Sequence, residues 1–64
     1  MEESLLALLS AEEFHYLNEA AKSLALGEVP AEHRARLLEL GLVTEQAGAL
    51  EITLVGQLRL AKGL

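Results

Sequence analysis

The fold of this chain is indicated most clearly by residues 36–56, RLLELGLVTEQAGALEITLVG. Gly41 follows a leucine-rich segment and predicts the end of a helix. Two short segments after it, 42–44 and 50–53, carry β-branched residues and predict two strands, with a reversal at Ala47-Gly48-Ala49 between them. Thr53 stands three residues before Gly56, the spacing at which a hydroxyl caps a new helix.

The residues before this stretch predict further helices. Ser10 and Glu13 have capping-box spacing at the start of a helix from Ala11 to about Leu26, and Gly27 is expected to end it in the left-handed conformation. The residues expected to face inward recur at intervals of three and four: Phe14, Leu17, Ala21 and Leu24.

Three more helices complete the prediction. A short one is expected at residues 3–9, another at about Pro30–Leu40, and a last one at about Leu54–Ala61 with Leu54, Leu58 and Ala61 inward. The three residues 27–29 between two helices match the turn of a helix-turn-helix.

The segments RARLLELGLV (34–43) and LEITLVG (50–56) resemble the C-terminal half of many bacterial winged helix-turn-helix proteins. In that family, Leu-x-x-x-Gly-Leu-Val ends the recognition helix and starts the wing, and Thr-x-x-Gly closes the wing. The resemblance covers roughly residues 28–61. It implies a single α+β, mostly helical, winged-helix-like domain over residues 1–64, of order α-α-α-β-β-α with a two-stranded wing.

Charge argues against a simple DNA-binding role. The formal net charge is −5, and residues 1–26 hold five Glu against one Lys. DNA-binding members of the family commonly carry Arg or Lys in the wing, whereas this wing tip reads EQAGA (45–49). The candidates for nucleic-acid contact are His33, Arg34 and Arg36 on the predicted recognition helix. The alternative is that both arginines pair with nearby glutamates, for example Glu32 with Arg36 at i,i+4.

Leucine is the second prominent feature, with 16 in 64 residues and only two aromatic rings. A domain this short stays marginally stable, and a leucine surplus is most simply buried by association. Leu5, Leu6, Leu8 and Leu9 would cover more than one face of a helix, so we expect them to form a homodimer seam or a docking surface for another protein. The alternative is that the small core wraps this helix completely.

Other chemistry is not expected. The chain has no Cys and no Asp, no phosphate-binding glycine loop and no paired-His zinc motif, so we predict no catalytic, cofactor or metal site and no small-molecule substrate. Glu12, His15 and Glu19 share one helical stripe that could converge on a metal, but such a stripe is more typical of a solvated face. The longest apolar run, 5–9, is far shorter than the ~20 residues of a membrane span, and no basic leader precedes it, so we expect a soluble cytoplasmic protein.

The sequence therefore predicts a small non-enzymatic regulatory or adaptor module that acts by macromolecular binding, with protein favoured over DNA. The competing hypothesis is a dimeric winged-helix transcriptional regulator that binds DNA. A structural module tethered to a larger protein is disfavoured, because the chain starts at Met1 and carries no linker.

Overall fold

The computed structural model describes residues 8–63 and shows an α+β domain. Its elements follow in the order α1 (Ala11–Ala20), β1 (Leu24–Ala25), a 3-10 turn (Leu26–Glu28), α2 (Ala31–Glu39), β2 (Val43–Gln46), β3 (Ala49–Ile52) and α3 (Leu54–Lys62). The strands form one antiparallel sheet of order β1-β3-β2. None of the helices within residues 8–63 has the length and apolar character to cross a bilayer.

Helix α1 begins as the sequence predicts. The Ser10 Oγ accepts from the Glu13 backbone N–H at 3.1 Å, and the Ser10 N–H donates to Glu13 Oε1 at 2.9 Å. This reciprocal pair satisfies two backbone donors that have no partner inside the helix. The capping-box prediction is confirmed.

The end of α1 differs from the prediction. The helix stops at Ala20 rather than near Leu26, and Ser23, with φ 71°, takes the left-handed conformation that was expected of Gly27. Leu24 is buried as predicted, but as a strand residue paired with Leu50 of β3. Periodicity within α1 could not indicate this pairing, because the partner lies 26 residues further along the chain.

This third strand also corrects the predicted topology. The sheet has three strands rather than the two of the predicted wing, and β1 separates α1 from α2. The two helices are therefore not joined by the predicted three-residue turn, since residues 21–30 lie between them. Residues 8–10 are not helical, and the rest of the helix predicted at 3–9 lies outside the described residues.

Helix α2 ends at its glycine as predicted. Gly41 has φ 74°, its N–H donates to the Leu38 carbonyl at 3.0 Å, and the Leu42 N–H donates to the Leu37 carbonyl at 3.1 Å. These two bonds form a Schellman motif, which satisfies carbonyls left over at the helix end. The chain then enters β2 directly.

The β2–β3 hairpin turns through two residues, Ala47 and Gly48, with φ values of 51° and 78°. Positive φ at both central positions defines a type I′ turn, whose twist matches that of the flanking strands. The Gly48 carbonyl also accepts from the Leu26 N–H at 3.1 Å, so the turn is fastened to the segment after β1.

The core lies between the sheet and the helices. Its buried apolar side chains come from α1, α2, the three strands and the segments that join or precede these elements: Leu9, Leu17, Ala20, Leu24, Val29, Leu37, Leu42, Val43 and Leu50. Phe14 is half-buried at the edge of this core. Ala21 was predicted to face inward but is exposed, and the neighbouring Ala20 is buried instead.

Helix α3 presents the opposite face to the one predicted. Leu54 and Leu58 are 69% and 42% exposed, and Ala61 is exposed as well. The face toward the core carries Val55, Gly56, Arg59 and Leu60. The reason is close packing at Gly56, where a Cβ atom would lie 2.1 Å from the Leu42 carbonyl oxygen. Only a residue without a Cβ atom fits against Leu42 at this point, so Gly56 must lie on the inward side of the helix, and this fixes the rotation of α3 about its axis.

Candidate functional site

The three predicted nucleic-acid contacts on α2 are all engaged within the domain. The Arg36 Nη2 donates to the Leu8 carbonyl at 2.9 Å, and its Nε lies 3.4 Å from Glu13 Oε2. Arg36 thus connects α2 to α1, through Glu13, and to the segment that precedes α1, through Leu8. It pairs with a glutamate, as the alternative interpretation held, but with Glu13 rather than Glu32.

Arg34 and His33 also point to neighbouring elements. The Arg34 Nη1 donates to the Leu26 carbonyl at 3.4 Å, so this side chain reaches the 3-10 turn. The His33 ring lies 5.6 Å from the Tyr16 ring, and its Nε2 is 3.9 Å from Glu12 Oε2. The structure brings His33 and Arg36 to the α1 side of the helix and Arg34 to the turn side, so the three do not form one outward basic patch.

The outward face of α2 is acidic. Glu32, Ala35 and Glu39 are exposed there beside the partly exposed Arg36, whose charge is paired with Glu13, and Glu28 is exposed in the turn that precedes the helix. The tip of the hairpin adds the exposed Glu45 and no cation. A phosphate backbone approaching this side would meet carboxylates first, which lowers its local concentration rather than raising it.

The remaining cations are dispersed. Lys22 follows α1, and Lys62 ends α3, both exposed. Arg59 is only 3% exposed: its Nη1 donates to the Gly63 carbonyl and its guanidinium carbon lies 5.9 Å from the centre of the Phe14 ring. Arg59 therefore holds the end of α3 against α1 and is withdrawn from any surface contact, a role that the sequence did not indicate.

The predicted leucine interface is divided by the structure. Leu8 is 88% exposed, while Leu9 is buried in the core. Leu5 and Leu6 lie outside the described residues. One of the two described leucines is thus available to a partner, and the other stabilises the domain itself.

Sequence reasoning missed the larger apolar surface, formed by Leu54, Leu58 and Ala61 on α3. We refer to these three residues as the α3 stripe. A signal for it was present, since a glycine inside a helical pattern often marks a close backbone approach. Had Gly56 been placed inward, Leu54 and Leu58 would have been placed outward.

Two observations on residues 8–63 concern metal and small-ligand binding. Among residues 8–63 no three His, Asp or Glu side chains converge as metal ligands would, and His15 instead meets Tyr16 edge-on at 5.4 Å between ring centres. A shallow open depression of about 320 Å³ lies between the end of α1 and β3. Its lining includes Lys22 and Glu51.

Comparisons with protein-family models, with characterised proteins and with solved structures gave no match to this chain.

Proposed function

We propose that this domain is a small, non-enzymatic regulatory or adaptor module that acts by binding protein, either a second copy of itself or another chain. The observation that carries the proposal is the exposure of Leu54 and Leu58 on one side of α3. A solvent-exposed apolar stripe on a small domain is an unfavourable feature unless a partner covers it, and such patches mark interaction sites. Leu8 adds a third exposed leucine.

Charge supports a protein partner over nucleic acid. Of the four Lys and Arg side chains on α2 and α3, Arg34 is half-buried and Arg59 is buried, which leaves Arg36 and Lys62 exposed. The outward side of α2 carries Glu32 and Glu39. Each phosphate contact requires a cation, and each phosphate neutralised steepens the slope of log K against log salt by roughly 0.9. With few exposed cations, this domain can make few such contacts.

The test is affinity capture from native lysate with the intact chain, followed by analysis of both protein and nucleic acid in the eluate. We expect stoichiometric protein that is lost with Leu54→Glu. The matched control is Gln57→Glu, which adds the same charge to an exposed position of the same helix outside the α3 stripe. An eluate containing nucleic acid and no protein would contradict the proposal.

A second candidate is a winged-helix-like DNA-binding regulator that functions as a dimer. The observation that favours it is the order of α2, β2 and β3, in which a helix runs directly into an antiparallel hairpin. In this arrangement α2 would be the recognition helix and the hairpin the wing, with β1 as the third strand of the sheet.

Anisotropy of a labelled duplex at low salt tests this second candidate. Saturable binding that weakens steeply with salt and is reduced by Arg34→Ala would support it. Lys22→Ala serves as a control, since it removes an exposed cation remote in sequence from α2. Absence of binding to genomic duplex at low salt would eliminate the candidate.

A further inference from the structure

The α3 stripe has the spacing of a helix-packing surface. Leu54, Leu58 and Ala61 stand at i, i+4 and i+7, so they follow one side of the helix. Both leucines are exposed, although the opposite side of the same helix packs at Gly56 against Leu42 and Ile52. One side of α3 thus completes the domain, and the other side is left without a neighbour among residues 8–63.

The charge around this stripe differs from that of the rest of the surface. Helix α3 reads LVGQLRLAK and contains no carboxylate. By contrast, every other element except the two-residue strand β1 carries at least one Glu: α1, the 3-10 turn, α2, β2 and β3. Two copies of a chain with a net charge of −5 repel each other, and they would place Glu against Glu at any of those elements. Contact through α3 avoids that repulsion at the interface.

We infer that α3 packs against α3 of a second copy, antiparallel, about a two-fold axis near Leu58. This inference rests on the proposed function, because it names the partner of the same exposed surface. Leu58 lies at the middle of Leu54–Lys62, so a two-fold axis there sets Leu58 against its own equivalent. Leu54 is then level with Lys62 of the second copy and lies next to Ala61, the residue of that turn on the stripe side. Antiparallel packing also brings the positive end of each helix dipole near the negative end of the other.

A second copy fits this surface better than an acidic partner does. Covering exposed leucine side chains with other apolar groups is favourable by roughly 25 cal/mol for each Å² of apolar surface removed from water. An acidic surface such as the outward side of α2 would have to lose water from its carboxylates to cover the same leucines, and that loss is costly. The α3 stripe of another copy supplies apolar cover without such a loss.

The size of the surface predicts a weak dimer. A nine-residue helix is about 14 Å long, and one stripe along it buries less than the roughly 800 Å² per partner of a standard interface. We therefore expect dissociation constants in the range of tens to hundreds of micromolar, on the order of weak transient complexes. Association should strengthen as NaCl is raised, because salt screens the repulsion between the two acidic copies.

Sedimentation equilibrium of the intact chain, from about 10 µM to about 1 mM, tests the inference. We expect the mass to rise from the 6.9 kDa monomer toward twice that value, and to rise further at high salt. Leu58→Glu should raise the dissociation constant at least about 10-fold, as expected for a charge placed at the centre of an apolar interface. If circular dichroism shows that Leu58→Glu does not fold, Leu54→Glu provides the same test at a more exposed position.

Ala35→Glu is the matched control, because it adds the same charge at an exposed position of α2, outside α3. It should leave the association unchanged. A chain that stays monomeric at the highest concentration overturns the inference, whether the stripe remains uncovered or is covered by another part of the same chain. Loss of dimer with Ala35→Glu but not with Leu58→Glu overturns it as well. A monomer that still captures a different protein through Leu54 would contradict only the dimer and leave the proposed function standing.

Discussion

The Thr53 hydroxyl donates a hydrogen bond to the Gly41 carbonyl oxygen at 2.7 Å, and the Leu42 carbonyl oxygen lies 3.0 Å away. The same Oγ accepts from the Gly56 N–H at 3.0 Å, and the Thr53 N–H donates to the Leu42 carbonyl. The end of α2 and the beginning of α3 are thus joined through one side chain. The two sequence signals that frame the hairpin are parts of a single junction.

Loss of the Thr53 hydroxyl should lower stability measurably. Thr53→Ala removes the cap of α3 and the bond to Gly41, and we expect a loss of about 1–3 kcal/mol in the free energy of unfolding. Thr53→Ser should retain most of it. Urea denaturation followed by circular dichroism gives the measurement, with Thr44→Ala as a control at an exposed strand position. Equal effects of the two alanine variants would contradict the role of the junction.

Gly56 should tolerate no side chain. A Cβ at this position would lie 2.1 Å from the Leu42 carbonyl oxygen and 2.6 Å from Ile52 Cγ1, so α3 would have to move away from the sheet. We expect Gly56→Ala to cost roughly 3 kcal/mol or more, the range of severe overpacking. Gly27→Ala is the matched control, because nothing lies within 4 Å of its Cβ position and its φ is not positive. A stable, native-like Gly56→Ala variant would contradict the close contact between α3 and Leu42 at Gly56.

The hairpin turn offers a stabilising substitution. Ala47 has φ 51°. This left-handed conformation costs residues other than Gly, Asn and Asp about 1 kcal/mol. Ala47→Asn creates the Asn-Gly pair favoured in type I′ turns and should raise the free energy of unfolding by about 0.5–1 kcal/mol.

The same substitution at an exposed position within α2, Ala35→Asn, should have the opposite sign, because Asn is the poorer helix former by about 0.5–0.7 kcal/mol. Thermal and urea unfolding of the two variants side by side would test the turn type directly. A lower stability of Ala47→Asn would be inconsistent with a type I′ turn.

Arg36 should act as a structural tie rather than as a surface cation. Arg36→Ala removes the bond to the Leu8 carbonyl and the ion pair with Glu13, and should cost about 0.5–1.5 kcal/mol. A double-mutant cycle with Glu13→Gln isolates the charge, because glutamine can still accept the capping bond from Ser10. We expect a coupling of roughly 0.3–1 kcal/mol that shrinks with salt. NMR shifts at Leu8 and Leu9 should change in Arg36→Ala, and an unchanged spectrum there would exclude the tie.

Local chemistry determined much of this fold. The cap at Ser10, the helix end at Gly41, the reversal near Gly48 and the cap at Thr53 could all be predicted, because each depends on residues within a few positions of one another. The bounds of α2 and of the two hairpin strands followed from these signals to within about two residues. The α+β class followed from the same pattern.

What the sequence by itself determined was therefore the position of the element boundaries, with the exception of the end of α1. Tertiary structure decided which surfaces meet. Pairing of Leu24 with Leu50 converted the predicted end of a helix into a third strand, and the contact of Gly56 with Leu42 turned Leu54 and Leu58 outward. The same assembly directed Arg36 onto Glu13 and Leu8. These outcomes depend on atoms far apart in the chain. Apart from the glycine inside α3, the short-range spacing of the residues does not indicate which of two possible faces finds the closer packing.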